Sequence, residues 1–137
     1  MRTNLKFSVF TFYAICMGFF LALSANSASA FPPDDKLIEA AHTATDNFVQ
    51  GKVDVFYETL DDTMKKYDAK FYDTAWNSVI AQYGAYQKMG KTRVLTMQGY
   101  RVVEHTLEFE KQKLIQRTVF NNDGKVAGFF FLPGEVN

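Results

Sequence analysis

The sequence predicts an α+β fold, with N-terminal helices packed on a curved antiparallel β-sheet. Apolar residues recur at helical spacing through residues 34–84, whereas they alternate with a period of two through residues 86–132. Near the end of the chain, Asn122-Asp123-Gly124 is typical of a tight hairpin turn, because these residues tolerate the positive φ that such turns require. Helices followed by an antiparallel meander favour this fold class.

The first thirty residues have the features of a secretory signal peptide. A basic start at Arg2 and Lys6 precedes an uncharged apolar run, Phe7–Leu23, and the small residues Ala28-Ser29-Ala30 fit a cleavage site. The run is slightly short for a membrane-spanning helix, which needs about 20 residues, but an uncleaved anchor is the alternative. We therefore expect a cleaved signal peptide at 1–30, a single domain at 31–137, and export to the periplasm or the cell exterior.

Charge and cysteine content narrow the class of function. Removal of Arg2 and Lys6 from the 15 basic residues leaves 13 against 15 acidic ones, so the net charge is near −2. Nucleic acid and anionic lipid both require a basic face, so neither is an expected partner, and no membrane contact is expected after cleavage. The chain has no glycine-rich phosphate loop, and His42 and His105 are its two histidines. No cofactor and no metal are therefore expected.

Three helices are predicted from their start and stop signals. The segment Pro32-Pro33-Asp34-Asp35 indicates the first helix start, with an acidic residue capping the first turn, and Gly51 ends this helix. A short second helix covers Val53–Leu60. Asp68 is predicted to cap a third helix, which Gly84 terminates.

Four strands follow, and their pairing assigns side chains to faces. The first covers Tyr86–Met97, and a hairpin tip at Lys111-Gln112 would place His105 opposite Thr118. A last turn centred on residues 123–124 would add three residues to the same, mostly apolar face: Ala127, Phe129 and Phe131. The opposite face is mixed and includes Glu104, Arg117, Val126 and Phe130. A one-residue bulge at the last turn would reverse the final strand, and this alternative stays open.

His105 is the strongest candidate for chemistry. It is predicted in mid-strand on the apolar face, beside Gln116 and Thr118, where it could line a cavity and act as a general acid or base. The alternatives are a structural histidine hydrogen-bonded to Thr118, or one at the solvent end of the sheet. Aromatic residues at helical spacing could form the lip of the cavity or simply belong to the core. The predicted ligand-binding set is Tyr72, Trp76, Tyr83, His105, Gln116, Thr118 and Phe129.

Three segments resemble the bacterial family called domain of unknown function 3887, in the cystatin-like or nuclear-transport-factor-2-like group. They are "FVQGKVDVFYETLDDTMKKY" (48–67), "WNSVIAQYGAYQKM" (76–89) and "LEFEKQKLIQRTVFNNDGKVAGFFFLP" (107–133). The resemblance implies a cone, in which a curved antiparallel sheet wraps around a long helix and leaves a cavity at the open end. It supplies no catalytic residues, although the broader group includes isomerases and dehydratases.

Two classes of function are consistent with the sequence. The first is an exported, non-catalytic module that binds a small apolar ligand or a partner protein, through the cone cavity or the sheet face. The partner protein could be a second copy of the chain, in a homodimer that forms through Phe130, Val126 and Arg117. The alternative is a small isomerase or dehydratase that uses His105. The scarcity of polar groups on the apolar face favours the module, and a closed core under the sheet would exclude both the enzyme and the small-ligand form.

Overall fold

Three α-helices and four β-strands make up the described part of the chain. The computed structural model describes residues 31–137, so the predicted signal peptide lies outside the described residues. The helices are α1 (Asp34–Val49), α2 (Val53–Glu58) and α3 (Ala69–Tyr83), with a 3₁₀ turn at Met64–Lys66 between the last two. The strands are β1 (Tyr86–Met97), β2 (Tyr100–Phe109), β3 (Lys113–Phe120) and β4 (Val126–Pro133).

The four strands form one antiparallel sheet in the order β1-β2-β3-β4. The predicted α+β class is therefore confirmed, as are the bounds predicted for the first strand. The helices cover one face, which we call the inner face, and the opposite one is the outer face. Phe48 of α1 lies at the centre of the inner core, with ring centroids 4.9 to 5.8 Å from those of Phe56, Trp76, Phe129 and Phe131.

The helix ends follow the sequence signals with two exceptions, of which the first is that α2 ends at Glu58 rather than at the predicted Leu60. Gly51 and Gly84 have positive φ angles of 74° and 85°, and the Asp68 carboxylate accepts a hydrogen bond from Phe71 N. The acidic cap predicted for α1 is wrong. The residue before the helix is Pro33, which has no side-chain acceptor, and Asp34 already lies within the first turn, where its carboxylate pairs with Arg101 of β2.

The predicted register of the β2–β3 hairpin is wrong by two residues. Leu107 lies opposite Leu114, and His105 lies opposite Gln116 rather than Thr118. The tip is Glu110-Lys111 because the end of α3 fixes it there: Glu110 N donates to Ala85 O and Lys111 N to Tyr83 O, both at 3.0 Å. A shift of two residues keeps every side chain on its predicted face.

The predicted faces are wrong at the start of β4 and correct after it. A β-bulge interrupts the pairing of β3 with β4. Phe120 pairs with Val126 and Val119 pairs with Gly128, so that β4 has one extra residue, Ala127, between the two pairs. Val126 therefore belongs to the inner core and Ala127 to the outer face, the reverse of the prediction. The segment after α2 holds Val126 in place, because Val126 N donates to Thr59 O and Asp61 N donates to Val126 O. Phe129 lies opposite Thr118, on the predicted inner face.

Candidate functional site

Four buried polar residues form a cluster within the inner core. We call Thr45, His105, Gln116 and Thr118 the inner polar cluster; each is 0% exposed. Thr45 projects from α1 onto the sheet, where its hydroxyl lies 2.9 Å from His105 Nε2 and 3.0 Å from Gln116 Oε1. The Thr118 hydroxyl donates to the same Gln116 oxygen at 3.0 Å.

The hydrogen bonds of this cluster assign the proton of His105. The Thr45 hydroxyl has one proton, which it donates to Gln116, so its oxygen accepts the bond from His105 Nε2–H. His105 Nδ1 is then a bare acceptor. Neither this atom nor Gln116 Nε2 has a hydrogen-bond partner among the residues that the structure describes. An unpaired acceptor and an unpaired donor on directly opposite residues are suited to one small polar molecule such as water.

The environment keeps His105 neutral. Burial, and to a smaller extent the neighbouring His42, whose ring centroid is 5.2 Å away, together lower the pKa of His105 to about 4. His42 is itself hydrogen-bonded to Thr92 of β1 at 3.0 Å. A general base near neutral pH needs a pKa close to that pH, and it needs contact with its substrate. With its lowered pKa, His105 is a weaker base than such a reaction requires, and its side chain is fully buried.

The other predicted ligand-binding residues lie around the inner core. Tyr72, Trp76 and Phe129 are 1%, 6% and 0% exposed, and the Tyr72 hydroxyl donates to Met64 O at 2.6 Å. Tyr83 is half-buried at the end of α3. The structure thus brings His105, Gln116 and Thr118 together, but Thr45 rather than Thr118 is the partner of His105. Sequence reasoning missed Thr45, although a threonine within the apolar stripe of a helix is a signal for such a contact.

The outer face has a row of ionic residues across three strands. Arg93, Glu104 and Arg117 are direct neighbours on β1, β2 and β3, and Phe130 completes the row on β4. Glu104 is 0% exposed, and both arginines bond its carboxylate at 2.6 to 2.7 Å. Glu104 and Arg117 lie on the predicted face, but they are directly opposite each other, which the predicted register did not give, and this carboxylate is fully buried.

An apolar cluster lies beside this row on the outer face. It comprises Tyr100, Val102, Val119, Ala127 and Phe130, with the half-buried Leu95 and Met97 packed against it. A Cβ at Gly128 would lie 2.8 Å from the Phe130 ring, so the glycine lets that ring lie flat over β4. The C-terminal residues cross part of this face, where Val136 N donates to Thr106 Oγ1 at 2.8 Å. Of the three residues predicted for a dimer contact, Arg117 and Phe130 lie here and Val126 does not.

A separate open groove of about 580 Å³ lies between α1, α2 and the turn before β4. Its floor is apolar and its rim carries both signs of charge, and the lining residues are Lys36, Glu39, Ala40, Thr43, Val55, Glu58, Thr59, Phe120, Asp123, Gly124, Lys125 and Val126. None of the predicted ligand-binding residues lines it. Within residues 31–137, no helix is long and apolar enough to cross a membrane, and no cluster of three or more His, Cys, Asp or Glu side chains is suited to a metal ion.

Comparison with known proteins identifies the family alone. No curated protein and no solved structure matches the chain. One family profile, described as "Protein of unknown function (DUF3887)", matches residues 41–129, from the middle of α1 into β4. The match includes both the inner polar cluster and the Arg93–Glu104–Arg117 row. Because it covers well over half of the sequence, the chain belongs to the DUF3887 family of proteins of unknown function.

Proposed function

We propose that this protein is an exported, non-catalytic module that binds a partner protein through the outer face of its sheet. The observation that carries the proposal is the combination of two partly exposed arginines with half-buried apolar side chains on the same face, namely Leu95, Met97, Ile115 and Leu132. Methionine and arginine are enriched in the cores of protein interfaces, and Met97 and Arg117 supply both here.

The closed inner face supports a partner protein over a small ligand or an enzyme reaction. The candidate base, His105, is fully buried and bonded to Thr45. Two of the aromatic residues that could form a cavity lip pack on Phe109 of β2, whose ring centroid is 5.9 Å from that of Trp76 and 6.3 Å from that of Tyr83. An isomerase or dehydratase needs a base that touches its substrate beside a stabilising donor, and none of the predicted residues offers this arrangement to solvent.

The charge of the outer face supports a partner of different sequence over a second copy of the chain. In a symmetric dimer about this face, the same patch meets itself. The Arg93–Glu104–Arg117 row has two positive charges and one negative, so two such rows would repel. A partner with a carboxylate beside apolar side chains complements both the row and the cluster. A homodimer is therefore the competing outcome of the test.

Two broader assignments belong to the same proposal. The signal-peptide pattern of residues 1–30 supports export to the periplasm or the cell exterior, where the partner would be met. The curved open sheet with α1 packed on its inner face supports a place in the nuclear-transport-factor-2-like or cystatin-like group, whose cone this arrangement resembles.

Site-specific photo-crosslinking in the native host tests the binding surface. A photoreactive phenylalanine analogue would replace Ile115 or Leu132, half-buried neighbours on β3 and β4, and Val55 on α2, which is 53% exposed, would serve as the control. We expect one discrete adduct from the outer-face positions, lost on Arg117→Glu, and no such adduct from Val55. Adducts of equal yield at Val55, or none at all, would exclude the outer face as the binding surface. An adduct of twice the chain mass would identify a homodimer instead.

A further inference from the structure

We propose that Arg93 and Arg117 form a clamp for an oxyanion, a carboxylate or a phosphate group, and that Glu104 positions the two arginines. This inference deepens the proposed function, because it names the chemistry that a partner would present. We call Arg93, Glu104 and Arg117 the arginine clamp. It lies on three adjacent strands at directly opposed positions, so the sheet itself fixes its spacing.

Each oxygen of the Glu104 carboxylate is held by one arginine. Arg93 Nε donates to Oε2 at 2.7 Å, and Arg93 Nη2 makes an ion-pair contact with the same oxygen at 2.6 Å. Arg117 Nε donates to Oε1 at 2.6 Å, and its Nη2 makes an ion-pair contact with that oxygen, also at 2.6 Å. Because both oxygens are engaged and Glu104 is 0% exposed, its effect is to hold both guanidinium groups in fixed orientations.

The two guanidinium groups still have donors to offer. Each has five N–H donors and gives its Nε donor to Glu104 in a hydrogen bond, which leaves several donors on each side chain. Among the described residues, no other acceptor bonds either group. The side chains of Arg93 and Arg117 are 41% and 24% exposed, whereas Glu104 is 0% exposed. The unused donors thus belong to the part of the row that solvent reaches.

The charge balance also favours an anion. One carboxylate neutralises one arginine, so the arginine clamp has a net charge of +1. A buried carboxylate needs only one such partner for neutrality, and the second arginine is in excess of that need. The adjacent cluster, with Val102 and Val119 at 0% and 1% exposed, limits the approach of water from that side. A partly dry setting strengthens attraction to an incoming anion, and the planar forks match the oxygens of a carboxylate or phosphate.

Two other lysines on the same face are paired with carboxylates. Lys88 lies 3.6 Å from Glu108, and Lys113 lies 2.9 Å from Glu135. Neither pair shares an atom with the arginine clamp. Of these three sets of charges, only the arginine clamp has a positive charge in excess of its carboxylate.

Titration of the protein with small anions tests the clamp without any partner. The mature chain, residues 31–137, would be titrated with acetate and separately with inorganic phosphate, with sodium chloride used to keep the ionic strength constant. The measurement is the ¹⁵N chemical shift of arginine side chains. We expect saturable shifts at Arg93 and Arg117 with a dissociation constant on the order of 1–10 mM, as befits ligands of so few atoms. Arg101, which pairs with Asp34 elsewhere, should not show them.

Lysine variants separate the fork geometry from the charge. Arg93→Lys and Arg117→Lys keep the charge but lose the planar fork, and each should weaken binding by roughly tenfold, since fork–oxyanion recognition is bidentate. Arg101→Lys is the matched control and should leave binding unchanged. Thermal unfolding of each variant verifies that it is folded. The absence of a saturable shift, or equal weakening by Arg101→Lys, would overturn the clamp.

The two anions and the two experiments have distinguishable outcomes. Tighter binding of acetate indicates an acidic side chain of a protein partner, whereas tighter binding of phosphate indicates a phosphorylated ligand. If anions bind but no crosslinked adduct forms, the clamp stands and the partner-protein proposal fails. If the adduct forms and anions do not bind, the outer face stands as the binding surface and the clamp is refuted.

Discussion

The two faces of the sheet both contain buried polar groups, but they satisfy these groups in opposite ways. On the inner face, three hydrogen bonds connect four neutral side chains, those of Thr45, His105, Gln116 and Thr118. Two atoms of this cluster, His105 Nδ1 and Gln116 Nε2, have no hydrogen-bond partner among the described residues. On the outer face, each oxygen of the Glu104 carboxylate accepts a hydrogen bond from an arginine and forms an ion pair with it.

This difference separates two kinds of buried polarity. The inner polar cluster avoids the cost of a buried charge by keeping His105 neutral, at the expense of two unpaired atoms. In the outer row, the charge of the buried Glu104 carboxylate is compensated by two arginines, whose side chains remain partly exposed. The inner cluster is thus suited to structural specificity and the outer row to recognition.

Glu104→Gln should have the largest effect on stability. Removal of this carboxylate leaves two arginines without their partner in a partly buried site, which typically costs about 3–5 kcal/mol. Chemical denaturation of the mature chain would measure the change in the free energy of unfolding. Replacement of all three residues together, by Arg93→Met, Glu104→Leu and Arg117→Met, should recover much of the loss. A loss below about 1 kcal/mol for Glu104→Gln would contradict the description of Glu104 as a desolvated ion.

The inner polar cluster should make stability depend on pH. Its histidine, His105, has a folded pKa of about 4 against an ordinary value of 6.5. Above pH 6.5 both states are neutral, so the full stability is present there. As pH falls from 6.5 to about 4, the unfolded chain binds a proton that the folded chain does not, and stability decreases by up to about 3 kcal/mol.

The pH effect is measured by difference. Denaturation curves from pH 8 to 4 would be compared for the protein and for His105→Leu, because acidic residues contribute their own pH dependence to both. The variant should show a shallower decrease in stability across this window. Parallel curves would show that His105 gains its proton equally in the folded and unfolded states.

Thr45→Val should cost about 1–3 kcal/mol. The substitution keeps the shape of the side chain but removes the hydroxyl, which leaves His105 Nε2–H without its acceptor and deprives Gln116 Oε1 of one donor. The matched control is Thr43→Val, on the exposed side of the same helix, which should change stability by less than about 0.5 kcal/mol. Equal effects of the two substitutions would indicate helix propensity rather than the buried bonds.

Asp34→Asn should have the smallest effect. This carboxylate pairs with Arg101 but is 60% exposed, so solvent screens the interaction and the expected loss is below about 1 kcal/mol. The comparison with Glu104→Gln varies burial while keeping an arginine partner. If Asp34→Asn were as destabilising as Glu104→Gln, burial of the carboxylate would not explain the difference in strength between the two ion pairs.

Local sequence signals were sufficient for most element boundaries. Gly51, Gly84 and Asp68 act at single residues through positive φ and a side-chain cap, so their effects do not depend on the rest of the fold. Alternation along β2 and β3 likewise assigned His105 and Glu104 to opposite faces. The register of this hairpin could not be obtained in the same way, because the contacts of Glu110 and Lys111 with the end of α3 set the tip.

The candidate site was only partly predictable for the same reason. The sequence placed Gln116 and Thr118 beside His105, since all three belong to neighbouring strands. It did not identify Thr45, which is separated from His105 by 60 residues and meets it through helix packing. The sequence also did not show that Glu104 would be buried. A carboxylate on the polar side of an alternating strand is expected to be solvated, and only the tertiary structure shows that this part of the face is buried.

By itself, the sequence determined the α+β class, the helix ends and the alternation of faces, because these depend on backbone conformation and on periodicity over a few residues. The tertiary structure decided which atoms meet. It set the β2–β3 register through the end of α3, and it placed Val126 in the core through a bulge held by the segment after α2. It also closed α1 over His105 and enclosed Glu104 between two arginines. These outcomes depend on contacts between residues distant in sequence, about which local periodicity contains no information.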